Sequence, residues 1–213
     1  MQSTESNRAT RIDPGGASPA PGLGATAEIR DRILSSVTEL IAVHGIDGMT
    51  MRMVADNAAV STGTINYHFG NKRGLVIAAL ERVYRVPDNF GSVKGPATEK
   101  LRVLTQGFVL RTVRGRNWWR FWLDYTAHAA RDAELRTHQV ERFERQRAFF
   151  ENVIATAVTG GEFSTNVRPA VAADTLINLA YGLALLQTME PSPQAARDAR
   201  HVLDAYIDQL ASH

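Results

Sequence analysis

The sequence predicts an all-α protein: an N-terminal three-helix head built on a helix-turn-helix, followed by a C-terminal helical bundle, about nine helices in all. Apolar residues recur at helical spacing through nearly the whole chain, and no segment shows the alternation of a half-buried strand. Clusters of glycine and proline then divide the chain at intervals that suit helices. The 213 residues, 44% of them hydrophobic, suffice for a real core. With no cysteine, disulfides, thiolate metal sites and cysteine nucleophiles are excluded, which fits a reducing cytoplasm. No apolar run approaches the roughly 20 residues that span a bilayer, and the N-terminus lacks the apolar core of a secretory signal. The net charge of +2 means that any nucleic-acid contact rests on local arrangement, not on the overall field.

Taken in order, residues 1–25 are rich in Ser, Thr, Pro, Gly and Ala and read as a disordered tail. Glu5 and Asp13 offset Arg8 and Arg11, so a groove-entering basic arm is not expected. From Thr26, Ile29, Ile33, Val37, Leu40 and Ile41 line one helical face, which His44-Gly45 stops. Thr50 then caps a short helix burying Val54, Ala55 and Ala58; Ala59-Val60 is the turn; Ser61 caps residues 62–69, with Ile65 and Phe69 inward. Thr62, Gly63, Thr64, Asn66, Tyr67 and His68 remain outside. Short hydroxyls, a bare glycine, an amide, a phenol and an imidazole can approach a base edge or phosphate closely. With Thr50, Arg52, Ser61 and Lys72 they are the candidate DNA contacts. Asn71 caps the next helix, whose Leu75, Val76, Ala79, Leu80 and Val83 face inward. Lys72 lies in its first turn, where the dipole disfavours a cation, so a nearby phosphate accounts best for the charge.

The spaced run Thr50, Val54, Ala55, Ala58, Val60, Ser61, Gly63, Thr64, Tyr67, His68, Phe69, Lys72 resembles the helix-turn-helix of the TetR-family repressors. Two positions depart from the family's habit. Ala59 stands where a turn glycine is usual, and Asn66 where an aromatic is usual.

Residues 87–96 hold two prolines with Asn, Gly and Ser, and divide a DNA-binding domain (26–86) from an effector-binding and dimerisation domain (87–213). In the body, Leu101, Leu104, Phe108 and Val109 define one helix, residues 118–130 a second and 135–158 a long third carrying Phe143, Phe149 and Phe150. Gly160-Gly161 ends it. Pro169 opens a nearly all-apolar helix through Met189, and residues 195–210 form the last. All three tryptophans, Trp118, Trp119 and Trp122, lie near Tyr125. They read equally as an aromatic seam between packed helices or as a wall of an effector pocket, to which Phe108, Phe149 and Tyr181 are the other candidates.

The Trp118 to Trp122 run, followed by an arginine-rich helix with Gln139, resembles the BetI-type regulatory domain of choline-responsive repressors. That likeness implies an unidentified small-molecule effector, with a choline-like cation held on aromatic faces as one form of it. The family likeness further implies a two-fold four-helix interface from the last two helices, with Ile177, Leu179, Gly182, Leu183, Leu186, Val202, Leu203, Tyr206 and Ile207 as candidates. Burial inside a monomer is the alternative for an all-apolar helix.

Catalysis is not expected. His128 and Asp132 form only an i, i+4 pair, His138 falls elsewhere, and no hydrolase elbow, phosphate loop or zinc signature occurs, so neither metal nor cofactor is called for. The reading is a cytoplasmic, homodimeric, ligand-responsive repressor of a palindromic double-stranded DNA operator. A ligand-independent architectural DNA-binding protein is the alternative, disfavoured by a body far larger than dimerisation needs.

Overall fold

Capping chemistry sets most helix boundaries in the computed structural model, which describes residues 23–83 and 95–211. The expected tail up to residue 22, most of the 87–96 connector and the side chain of Val83 lie outside the described residues. Helix α1 (Leu23–Gly48) begins at Leu23 rather than Thr26. The stop expected at His44-Gly45 is a kink: Gly45 takes φ 72°, and one more turn follows, with Met49 N donating to Gly45 O.

Helix α2 (Met51–Ala58) starts where the Thr50 hydroxyl accepts from Met53 N, and α3 (Thr62–Phe69) where Ser61 accepts from Thr64 N. Between them Ala59 sits at φ 52°, ψ 50°, left-handed backbone that favours glycine. Ala59→Gly relieves that strain and is expected to stabilise the protein by about 0.5–1 kcal/mol, raising Tm by roughly 1–4 °C. A calorimetric scan of both proteins checks it, and a lower Tm for the glycine variant would contradict it. Helix α4 (Lys72–Val83) opens on Asn71, whose Oδ1 accepts from Gly74 N. A Cβ on residue 74 would stand 2.4 Å from Phe69 O, so the turn into α4 admits only glycine there. Ile33, Val37, Val54, Ile65, Leu75 and Leu80 fill the head's core.

The body holds α5 (Ala97–Thr105), α6 (Val113–Ala129), α7 (Ala133–Thr159), α8 (Pro169–Met189) and α9 (Pro193–Ala211). No strand occurs among the described residues. The helix expected to run through Phe108 and Val109 ends at Thr105. A single 3-10 turn, Gln106–Phe108, follows, and Val109 is extended. Side chains hold this strap in place of helical backbone bonds: Trp119 Nε1 donates to Gly107 O (3.1 Å), while Gln187 donates to Phe108 O and accepts from Leu110 N. Helix α6 begins at Val113, ahead of the expected residue 118, because the Thr112 hydroxyl accepts from Gly115 N. Asp132 caps α7 through Glu134 N and Leu135 N. Pro169 occupies the first turn of α8 as expected.

Two expectations about α8 and α9 are corrected. Helix α8 has 21 residues and a mean hydropathy of 1.4 over its most apolar window, so by length and composition it is able to cross a membrane. Only 28% of that window is buried within the chain. Leu203 and Ile207, expected at a subunit interface, are completely enclosed inside the single chain, and Ile177 is buried too. All three sit on the inner faces of α8 and α9. Val171, Leu185, Leu186 and Met189 of α8, with Val202 of α9, are the large apolar side chains left outside.

Candidate DNA-reading helix and effector cluster

Ile65 anchors α3 to the head's core, and the helical repeat turns Thr62, Gly63, Asn66 and Tyr67 to solvent. Tyr67 is 85% exposed, far more than a phenol needs for packing. Thr64 and His68 are half-buried at the edges of this face. The Ser61 and Thr64 hydroxyls lie 2.9 Å apart at the helix start. Thr50 is exposed at the start of α2, and exposed Arg52 approaches Asp56 at 4.0 Å. Lys72, half-buried at the start of α4, donates from Nζ to Asp47 O (3.2 Å), which holds its ammonium beside α1.

Sequence reasoning missed Arg30. Its guanidinium donates to His68 O at 3.2 Å and lies 4.6 Å from the Phe69 ring centroid, closing the C-terminal end of α3 from another helix. A contact spanning 38 residues leaves no local spacing to read.

The seven aromatic candidates do not all come together. Phe108, Trp119, Trp122 and Tyr181 come together, joined by Phe143, which the sequence did not single out for the pocket. Tyr181 is central, with ring centroids 4.8 Å from Trp122, 5.3 Å from Phe108, 5.4 Å from Trp119 and 5.7 Å from Phe143. The edge-on and tilted angles are those aromatic quadrupoles prefer. Trp118 and Tyr125 belong to a different stripe of α6. Trp118 borders a groove with Ser35 and Thr38 of α1, and Tyr125 packs against Phe121 and donates to Leu135 O. Burial and neighbouring carboxylates push the Tyr125 phenol well above its ordinary pKa, so it stays neutral. Phe149 lies half-buried farther along α7, packed on the hydrophobic core.

Beneath the Tyr181 group lies a buried polar chain. Arg142, 2% exposed, donates to Gln139 and to the Tyr181 hydroxyl, which donates on to Gln146. Gln139 in turn donates to Thr126 of α6. Charged residues on a long helix read as surface, and nothing in the sequence marks Arg142 as interior.

Head and body meet through α1 and α6. Asp124 accepts from Ile46 N at 2.5 Å, just past the Gly45 kink. One turn on, His128 donates from Nδ1 to Asp124 O (2.8 Å) and turns Nε2 toward Asp47 (3.3 Å). The Asp124 carbonyl bond, then Asp47, raise the His128 pKa. A raised folded pKa gives stability that is full below the ordinary imidazole value of about 6.5 and is lost as pH rises through the folded value. Asp47 is 94% exposed, so the pair contributes less than about 1 kcal/mol. His128→Gln is expected to flatten the fall of Tm between about pH 6 and 9, read by thermal melts; an unchanged slope would acquit His128. Farther out, Arg73 of α4 pairs with Asp132 and Glu134, and Arg145 with Glu81. Among the described residues no group of three or more His, Cys, Asp or Glu is arranged to hold a metal.

Two protein-family models match the chain. The model of the bacterial regulatory proteins of the tetR family matches residues 33–79, and that of the BetI-type transcriptional repressor C-terminal domain matches residues 97–212. The chain belongs to the TetR family. It is therefore a DNA-binding transcriptional repressor and not an enzyme, and its body is of the BetI type. The BetI regulator of Paraburkholderia phytofirmans is 27% identical over 205 residues, covering 88% of this chain and 96% of that protein. A TetR-family regulator of known structure from Rhodococcus sp. is 28% identical with a TM-score of 0.75, covering 87% of this chain and all of that one. A regulator from Saccharomonospora viridis, solved with choline, has the same fold at 23% identity and a TM-score of 0.72, covering 85% of this chain and 96% of that one. Members of the TetR family bind DNA operators and small-molecule effectors, usually as dimers.

Proposed function

We propose that this repressor acts as a cytoplasmic homodimer whose paired α3 helices read a palindromic operator, and that a small molecule at the Tyr181 cluster releases it. The observation that carries the DNA-reading assignment is the solvent-facing set Thr62, Gly63, Asn66 and Tyr67 on a helix whose opposite side is anchored by Ile65. Thr50, Arg52, Ser61, Thr64, His68 and Lys72 flank it. A monomer reads half a site, whereas two heads about 34–36 Å apart meet successive major grooves.

Residues 26–86 form the DNA-binding unit in this reading and 87–213 the effector and dimerisation unit. The exposed stripe of Gly182, Leu185, Leu186 and Met189, with Leu179, Leu183, Val202 and Tyr206 beside it, is the subunit interface. An apolar stripe on a soluble regulator is covered most economically by its two-fold copy. Choline in the Saccharomonospora viridis relative makes a compact quaternary ammonium one candidate for the effector's body. Coupling of about 1–3 kcal/mol between the sites is enough to change operator affinity by roughly 5–150-fold.

Selection of bound DNA from a random pool, followed by a screen for compounds that release it, tests the reading. A palindrome of two half-sites is expected, and non-specific recovery would sink it. Lys72→Ala is expected to weaken binding to all sequences and to reduce the salt slope by about 1. An unchanged slope across a salt titration would remove Lys72 from the phosphate contacts.

A further inference from the structure

Trp122 is 8% exposed, and its Nε1 is buried with no hydrogen-bond partner. An indole N–H only donates, and a buried donor without an acceptor is costly and uncommon. It is the one such side-chain donor among the described residues; the other unmatched buried atom, Asp204 Oδ1, is an acceptor 3.5 Å from the Arg102 guanidinium. Trp122 lies in the aromatic group itself, with centroids 5.1 Å from Trp119, 4.8 Å from Tyr181 and 6.5 Å from Phe143. Phe143, 37% exposed, brings this group to the surface.

The neighbouring polar groups are already engaged and leave Trp122 alone with an unmet demand. Trp119 Nε1 is taken by Gly107 O, Gln187 by the 106–110 strap, and the Tyr181 hydroxyl by Gln146. No carboxylate is buried against it: no Asp or Glu is among the buried side chains of the described residues, whereas Arg142 is. The Arg142 guanidinium lies 4.6 Å from the Phe143 centroid and already puts a cation on that ring.

We propose that the effector carries an acceptor oxygen, best a carboxylate, that receives the Trp122 Nε1–H, while its compact apolar or methylated body rests on the rings of Tyr181 and Phe143. This rests on the assignment of the aromatic group as the effector site. The oxygen, more than a positive charge, then sets which molecules bind.

Four probes separate these contributions in calorimetry on the full-length dimer at millimolar concentration. Choline and trimethylglycine present a hydroxyl and a carboxylate on a cationic body, propyltrimethylammonium the same body with no oxygen, and tert-butylacetate a carboxylate on an uncharged one. The carboxylate probes are expected to bind about tenfold or more tightly than propyltrimethylammonium, and Trp122→Phe to erase that advantage while leaving propyltrimethylammonium unchanged. Phe143→Leu is expected to weaken all four and preserve the preference. In isotope-labelled protein the Trp122 indole N–H resonance is expected to move downfield with the carboxylates. Equal affinities, an equal loss for every probe in Trp122→Phe, or no binding by either carboxylate overturns the proposal; the wild-type panel decides this even where a variant does not fold. Binding that neither variant changes instead places the effector elsewhere, and the aromatic-site reading fails with it.

Discussion

Trp119→Ala is expected to cost about 3–5 kcal/mol and to lower Tm by roughly 6–20 °C. Trp119 is almost wholly buried, in contact with the rings of Phe108, Trp122 and Tyr181. Its removal opens a cavity where α6, α8 and the 106–110 strap meet, and collapse is hindered because each neighbouring ring is itself packed on another. The variant also leaves Gly107 O without the Trp119 Nε1 donor. Trp119→Phe separates the two effects, since it keeps most of the ring volume and loses the hydrogen bond, at about 1–3 kcal/mol. Thermal unfolding followed by circular dichroism supplies the measurement. Operator binding below the transition should stay within a few-fold of wild type, because the α1–α4 core does not include this residue. A shift under about 3 °C for the alanine variant would show that Gln187 alone anchors the strap.

Leu186→Arg is expected to give a monomer by light scattering and to weaken operator binding by about 100-fold or more. Leu186 is 66% exposed in the single chain, so the substitution strains nothing within the protomer. At a two-fold interface the same change occurs on both subunits, and burying an uncompensated charge costs about 3–5 kcal/mol. Every 1.4 kcal/mol is roughly tenfold, so dimerisation at micromolar concentration fails, and each released head keeps only half a site. A dimer that persists with unchanged affinity would move the interface away from α8.

Local chemistry explains what the sequence revealed. Thr50, Ser61 and Asn71 each bond a backbone N–H three residues on, and such caps are legible wherever they occur. The inward placement of Ile65, Leu75 and Leu80 follows from helical period alone. Period does not say what each face meets. It grouped Trp118 and Tyr125 with Trp122, while the packing of α6 turns the first two toward α1 or Phe121 and the last toward Tyr181. It likewise could not separate Leu203 and Ile207, enclosed within the chain, from Val202 on its surface. Arg30, Arg142 and Asp124 escaped notice for another reason. Their roles depend on partners tens of residues away, and a charged side chain has the same appearance in sequence whether it caps a distant helix or faces water.

The grip of Asp124 and His128 on the far side of the Gly45 kink also bears on how a signal would travel. Trp122 and Asp124 lie two residues apart on α6, and His128 is about 6 Å beyond Asp124 along its axis. One rod thus carries the ring in contact with Tyr181 and the carboxylate that holds the backbone of residue 46. A rotation of that rod by a few degrees would be felt at both places at once. On the proposed effector site, the repressor would need no relay of side chains between its two ends, only a shaft with a fitting at each.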